Sequence, residues 1–236
     1  MPETQRNRNI ALLIDADNAS PADLESALTI LGDLGTVNIR RIYGNWKKTG
    51  LSGWAKIVHR HALEPQQAFD ITKGKNATDM KMAIDAMDLL YTGTVDGFGL
   101  MTSDSDFMPV AIRLRQNGLP VYGFGTSRAP EGFRQACTRF IDLGQLADDE
   151  KQDQSTVERP AVDAELIDLL GDAWKASKRD AGGYASLSEV GQRVANRSSF
   201  DARSYGFSRL SELIESLPNF ATERRGSGEM FVRRVR

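Results

Sequence analysis

The stretch GLMTSDSDFMPVAIRL, residues 99 to 114, sets Asp104 and Asp106 one residue apart, where an apolar run gives way to a helix-like one. A single aspartate there would serve as a helix cap. Two, flanked by Ser103 and Ser105, suit a site that holds something positive. Asp15 closes the apolar run IALLI, with Asp17 and Asn18 just beyond it. Asp79 falls early in the helical stretch NATDMKMAIDAMDLLY. Carboxylates gathered in one pocket raise one another's pKa unless a cation is present. Helix N-termini relieve about 0.3–1 kcal/mol each, less than several repulsions at short range. A divalent ion removes the conflict, and an all-oxygen set without His or Cys selects Mg²⁺ or Mn²⁺. Such an ion acidifies bound water and orients a phosphodiester for in-line attack. Asp15, Asp79, Asp104 and Asp106 are therefore candidate metal ligands. Each alone reads equally well as a cap or a partner of a helix dipole. Together that plain reading weakens, because all four would have to meet at one edge by chance. His59 and His61, the two histidines, do not share a helix face and are read as structural or surface residues.

These acids need a scaffold. Up to about residue 143, β-type runs (NIALLIDA, TVNIRRIYG, QQAFDI, GFGLMTS, LPVYGFG, RFIDL) alternate with helical ones. Alternation of this kind implies βαβ units and a mostly parallel sheet flanked by helices. Continuous apolar strands such as IALLI fit a sheet covered on both faces. In open α/β sheets, ligands collect beyond the carboxyl ends of the strands, where strand order reverses. If strands one and four are neighbours there, Asp15 and Asp104 face one crevice. Pro109 places Asp106 in a first helical turn, since only that turn tolerates a residue without an N–H. Gly35 and Gly118 are expected as left-handed helix stops.

The composition, 40% hydrophobic and 26% charged, suits one domain or two small ones, and a net charge of −2 points to no partner by itself. A single cysteine, Cys137, excludes a disulfide framework and a Cys-rich zinc site, and a cytoplasmic location is expected. The opening residues are too soon interrupted by acids for a signal peptide or a membrane span. Residues 147–160, ADDEKQDQSTVERP, read as an exposed linker between a domain at 1–146 and a second at 161–236. The second contains helix-like AVDAELIDLLGDAWKAS, SLSEVGQRVA and SYGFSRLSELIESL, the last with Phe207, Leu210, Leu213, Ile214 and Leu217 on one face. Two short strands then flank a Gly-Ser-Gly turn, which makes a small winged-helix module. From residue 193 it carries nine arginines against five acids, a balance of 9 − 5 = +4, the footprint of a nucleic-acid surface. The alternative is a solvated basic face.

The stretches LLIDADNAS, ATDMKMAIDAMDLL, LMTSDSDFMPVAIRLRQNGLPVYGFG and FIDL together resemble the NYN domain, a branch of the PIN-like nuclease superfamily, over residues 8 to 144. Asp15 with Asn18, then Asp79, then Ser103, Asp104, Asp106 and Phe107 match its pattern. The resemblance implies a PIN-like fold and a metal-dependent endoribonuclease. Asp15, Asp79 and Asp104 would be ligands, Asp106 an auxiliary acid and Asn18 a positioning group. It also implies pairing of two copies. The segment FDARSYGFSRLSELIESLPNFATERRGSGEMFVRR resembles the LOTUS (OST-HTH) domain over about residues 160 to 236. That implies an RNA-binding winged helix, or in some relatives one that binds a protein partner.

Other residues suit RNA. Lys73 and Lys75 precede the Asp79 helix and would meet phosphates. Trp46, Lys47 and Lys48 follow strand two as a stacking and phosphate-contacting loop, with packing the plainer role for Trp46. Ser103, Arg203, Arg224 and Arg225 complete the expected RNA contacts. GKNAT lacks the order of a phosphate-binding loop. Two other functions fit the same residues. One is a non-catalytic RNA-binding regulator. The other is an aspartyl-phosphate phosphatase built on DADNA, which leaves Asp79 without a role and places Ala19 where Thr or Val is usual.

Overall fold

The computed structural model describes residues 8–69, 76–144, 164–226 and 228–235. The chain divides into two compact units, Met1–Gly144 and Gln145–Arg236. In the first, six parallel strands form one sheet. They are β1 (Asn9–Asp15), β2 (Thr36–Gly44), β3 (Glu64–Gln67), β4 (Gly97–Met101), β5 (Val121–Gly125) and β6 (Arg139–Asp142), in the order β3-β2-β1-β4-β5-β6. Ile10 to Asp15 are all buried, as a central strand covered on both faces requires. Alternate side chains serve alternate faces. Ala11 and Leu13 pack with Met82, Leu89, Phe107 and Phe133, which come from α3 (Ala77–Thr92), the turn before α4 (Met108–Gln116), and α5 (Glu131–Ala136). Ile10, Leu12 and Ile14 take the other face, where α1 (Leu24–Gly32) and α2 (Ser52–Ile57) follow β1 and β2.

Helix ends follow local chemistry. Gly93 closes α3 at φ 64° and Gly118 follows α4 at φ 80°. Gly35 is not a left-handed stop. It lies where the chain passes close to itself, since a Cβ there would stand 2.4 Å from the Arg8 carbonyl oxygen. Strand β3 begins at Glu64, two residues earlier than the run QQAFDI suggests.

The second unit contains α6 (Ala164–Ala176), a two-residue strand β7 (Ala185–Ser186), α7 (Leu187–Arg197), α8 (Leu210–Ser216), β8 (Phe220–Arg225) and β9 (Glu229–Arg234). Its sheet is antiparallel in the order β7-β9-β8. Three helices and a hairpin enclose Leu166, Leu170, Val190, Val194, Phe207, Leu213, Ile214 and Val232, the winged-helix arrangement. The expected helix over 204–217 is shorter than its pattern. Asp201 caps a tight turn at Ala202–Tyr205 by accepting the Arg203 N–H, and Gly206 at φ 73° then breaks the run. Phe207 is buried ahead of α8 rather than on it. Strand β7 escapes a search for alternation because two residues have no period. The expected linker at 147–160 and Ser227 of the turn lie outside the described residues.

Candidate active site

The carboxyl ends of β1 and β4 lie side by side at the centre of the sheet, with Ile14 opposite Met101. Strand order reverses at this pair, which opens the crevice where α/β sheets bind ligands. Asp15 ends β1 and Thr102 directly follows β4. The Thr102 hydroxyl donates to Asp15 Oδ2 at 3.0 Å, and both side chains are buried. Burial pushes the Asp15 pKa up. Asn18 Nδ2 at 2.8 Å, the Thr102 hydroxyl and the Asp17 N–H at 3.1 Å favour the ion, without reversing that direction.

Thr102 also accepts the Asp104 N–H at 3.1 Å, so one hydroxyl joins the two strand ends. Asp104 caps the turn Ser105–Phe107, its Oδ1 accepting the Asp106 N–H at 2.9 Å, while buried Phe107 anchors that turn in the core. The cap uses one oxygen, and Oδ2 takes no hydrogen bond among the described residues. Gly125 is required beside this loop, since a Cβ there would stand 2.8 Å from both the Thr102 carbonyl oxygen and Ser103 Oγ. Asp106 is exposed and its Oδ2 accepts Asn76 Nδ2 at 2.8 Å, which ties the start of α3 to the turn after β4.

Asp79 lies in the first turn of α3, half-buried and without a hydrogen bond or ion pair among the described residues. Its pKa is pushed up to about 6, first by burial and then by the charges of Asp15, Asp104, Asp106 and Asp17. Four carboxylates from two other stretches of the chain thus act on a fifth. The helix itself is held by Asp85, two turns further on. Asp85 Oδ2 accepts the Tyr43 hydroxyl at 2.9 Å and Arg41 Nη1 at 3.4 Å, and Oδ1 lies 3.8 Å from Lys81 Nζ. Burial, then the Asp85 charge, pushes the Tyr43 phenol well above its ordinary value, so it stays a donor.

Among the described residues no three of Asp, Glu, His and Cys are grouped so as to hold a metal ion by themselves. A hydrated Mg²⁺ ion needs only one or two carboxylates directly and keeps several waters. An all-oxygen donor set with an unpaired, charge-strained Asp79 fits such an ion.

The expected RNA contacts are distributed differently. Lys48 Nζ lies 3.6 Å from Asp17 Oδ2, which brings the loop after β2 to the acidic pocket. Lys47 Nζ lies 5.2 Å from the centre of the Phe69 ring, which is exposed. Trp46 is half-buried and donates its indole N–H to the Gln66 carbonyl at 3.2 Å, a packing role. Ser103 Oγ accepts the Thr126 N–H at 3.1 Å and braces the loop after β5. Lys73 and Lys75 lie outside the described residues. In the second unit Arg224 is exposed, 3.3 Å from Glu215. Arg225 pairs with Asp180 and Glu223 and stacks on Tyr184 and Phe231, so its charge is largely answered within the fold. Arg203 is half-buried on the capped turn.

Residues 9–144 match the NYN domain. The chain belongs to the NYN family. NYN domains are part of the PIN-like nuclease superfamily, and the six-strand parallel sheet agrees with that fold. Behind the NYN domain, residues 160–232 match the OST-HTH/LOTUS domain, an RNA-binding module. An uncharacterized protein of Methanocaldococcus jannaschii is 29% identical over 137 residues, 56% of this chain and 52% of that one. The chain thus matches about half the length of this curated relative. A crystal structure of a protein of unknown function from Vibrio parahaemolyticus covers 59% of this chain and 95% of its own, at 17% identity and a TM-score of 0.48. Among the described residues no helix is long and apolar enough to cross a membrane.

Thr102, Asn76, Asp17 and Asp85 are the site residues that sequence reasoning missed. The sole signal for Thr102 was its place between a strand and the Asp104 motif. Thr102→Val is expected to cost about 1–3 kcal/mol in denaturant unfolding, because a buried carboxylate and a backbone N–H each lose a partner. It should also slow any RNA cleavage about 10-fold, as losing an outer partner of a ligand set does.

Proposed function

We propose that the NYN unit is a metal-dependent endoribonuclease and that the LOTUS unit holds its RNA. The observation that carries this is Asp79. An acid with no cation beside it among the described residues and four others acting on it, at the switch point of the sheet, is arranged for a positive ion. Asp15, Asp79 and Asp104 would hold Mg²⁺ or Mn²⁺, with Asp106 as the auxiliary acid. When bound, such an ion supplies acidified water and neutralises charge on the phosphodiester. The protein's own part is to position. Thr102 and Asn18 aim the Asp15 carboxylate, and the Ser105–Phe107 turn fixes Asp104. Asp106, exposed and with Oδ2 on Asn76, accepts a proton at Oδ1. Lys47 and Lys48 hold flanking phosphates. In this reading residues 1–146 are the nuclease, 147–160 a tether and 161–236 the RNA-binding or partner-binding module, in a cytoplasmic protein.

The test is cleavage of end-labelled single-stranded and structured RNA with Mn²⁺. Internal cuts that disappear with EDTA are expected. The second reading is an RNA-binding regulator that keeps the acidic cluster without turnover. Saturable Mn²⁺ binding without cleavage of any RNA would establish that reading and end the first.

A further inference from the structure

Phe69 follows buried Ala68, just beyond the carboxyl end of β3. The strands are parallel, so this is the edge of the sheet that carries Asp15 and Asp104. The ring is 56% exposed. A lone exposed apolar side chain is ordinary on a protein surface. This one sits on a braced segment beside a row of charges. The Ala68 N–H donates to the Gly44 carbonyl at 3.0 Å, which ties the chain before the ring to the end of β2. The Gln67 side chain donates to Asn45 Oδ1 at 3.0 Å and accepts the Trp46 N–H at 3.1 Å. The loop after β2 and the end of β3 are thus knit together.

Contacts then lead from the ring to the acidic pocket. Lys47 Nζ lies 5.2 Å from the ring centre, within cation–π reach. Lys48 Nζ lies 3.6 Å from Asp17 Oδ2, and the Asp17 N–H donates to Asp15 Oδ1 at 3.1 Å. A strip runs from an aromatic ring, past two ammonium groups, to the carboxylates. Two strand spacings, about 10 Å, separate β3 from β1.

We infer that Phe69 is a base-stacking platform and that the pocket takes single-stranded RNA, which rests on the reading of that pocket as a ribonuclease centre. The order of the strip is the order of a polynucleotide strand. A base lies on the ring, phosphates lie on Lys47 and Lys48, and the phosphodiester to be cut lies at the carboxylates. An aromatic face stacks any base, so the platform is indifferent to sequence. The Lys48–Asp17 pair is partly exposed and weak, so a phosphate can draw the ammonium to itself. In double-stranded RNA the bases stay paired inside the helix, and none reaches the ring.

Photocross-linking of the full chain in EDTA tests this without turnover. The probe is single-stranded oligouridylate carrying 5-iodouridine, a base that cross-links to an aromatic ring stacked on it. Peptide mapping should find the adduct on Phe69, apart from any made by the LOTUS unit. The same strand annealed to oligoadenylate should lose that adduct. Lys47→Glu with Lys48→Glu should lower its yield at least ~10-fold, because two phosphate contacts go. In cleavage with Mn²⁺, Phe69→Ala should raise KM for single-stranded RNA ~10-fold with kcat little changed, as the loss of one stacked base does. Phe69→Tyr should keep the wild-type KM. An adduct on Phe69 in a protein that never cleaves would support the platform and count against turnover alone. No adduct on Phe69, or an equal adduct from the duplex, would overturn the proposal even in an active ribonuclease, as would a KM indifferent to Phe69→Ala.

Discussion

Asp104→Asn is expected to lower Mn²⁺-dependent RNA cleavage at least ~100-fold, beyond the loss caused by disturbing an outer partner of a metal ligand. The substitution isolates charge from structure. Asparagine caps a helical turn about as well as aspartate, so the hydrogen bond from the Asp106 N–H survives. What disappears is the negative charge shared with Oδ2, the oxygen without a hydrogen bond. The fold should therefore melt within about 0.5 kcal/mol of wild type, as substitutions that leave caps and packing in place do. Initial rates on labelled RNA, with melts on the same samples, separate the two effects. Wild-type rates in the variant would point to a contaminating nuclease or a mistaken site.

Asp79→Asn is expected to cost a similar factor in cleavage while making the metal-free protein more stable above pH 6. The ordinary carboxyl value of 3.8 is pushed up to about 6 by burial and by the neighbouring carboxylates. Between those two values the folded state binds more protons than the unfolded one. Stability therefore falls as pH rises through this window and stays reduced above it. With the half-exposed side chain screened by solvent, the change is about 1 kcal/mol. Asp15, also pushed up by burial, adds in the same direction. Metal-free wild type should thus melt at a higher temperature at pH 5 than the Asp79 contribution allows at pH 8, and the variant should lack that part of the difference. Adding Mn²⁺ at pH 8 should stabilise wild type more than the variant, because a cation relieves the repulsion that the amide has already removed. Cleavage by wild type should fall as pH drops through about 6 at limiting Mn²⁺, since protonated Asp79 competes with the ion. A variant less stable than wild type at pH 8 without metal would show that Asp79 is not under repulsion.

Much of this site is legible in the chain because its parts sit at element boundaries, which local chemistry marks. IALLI can only be a covered strand, so Asp15 must lie at its end. Pro109 confines Asp106 to a first turn, and the sixteen-residue helical run of α3 places Asp79 in its opening turn. That strands one and four are neighbours is only a condition at the level of the sequence, and the sheet does put β1 beside β4. Local rules failed where a single residue overrode a period, as Gly206 does before α8. Gly35 shows the same limit, since its role depends on Arg8 passing close by.

By itself, then, the sequence determined which residues end strands and begin helices, and that acids occupy those ends. Hydrogen-bond geometry and turn stereochemistry act over a few residues, so these features are written locally. The tertiary structure alone decided what those acids meet. Thr102 reaches Asp15 across 87 residues, Tyr43 reaches Asp85 across 42, and Asn76 reaches Asp106 across 30. It also decided which side of α3 turns inward, because packing against the sheet, rather than the helical period, chooses Thr78, Met82, Ala86 and Leu89 over the exposed Met80, Ile84 and Tyr91.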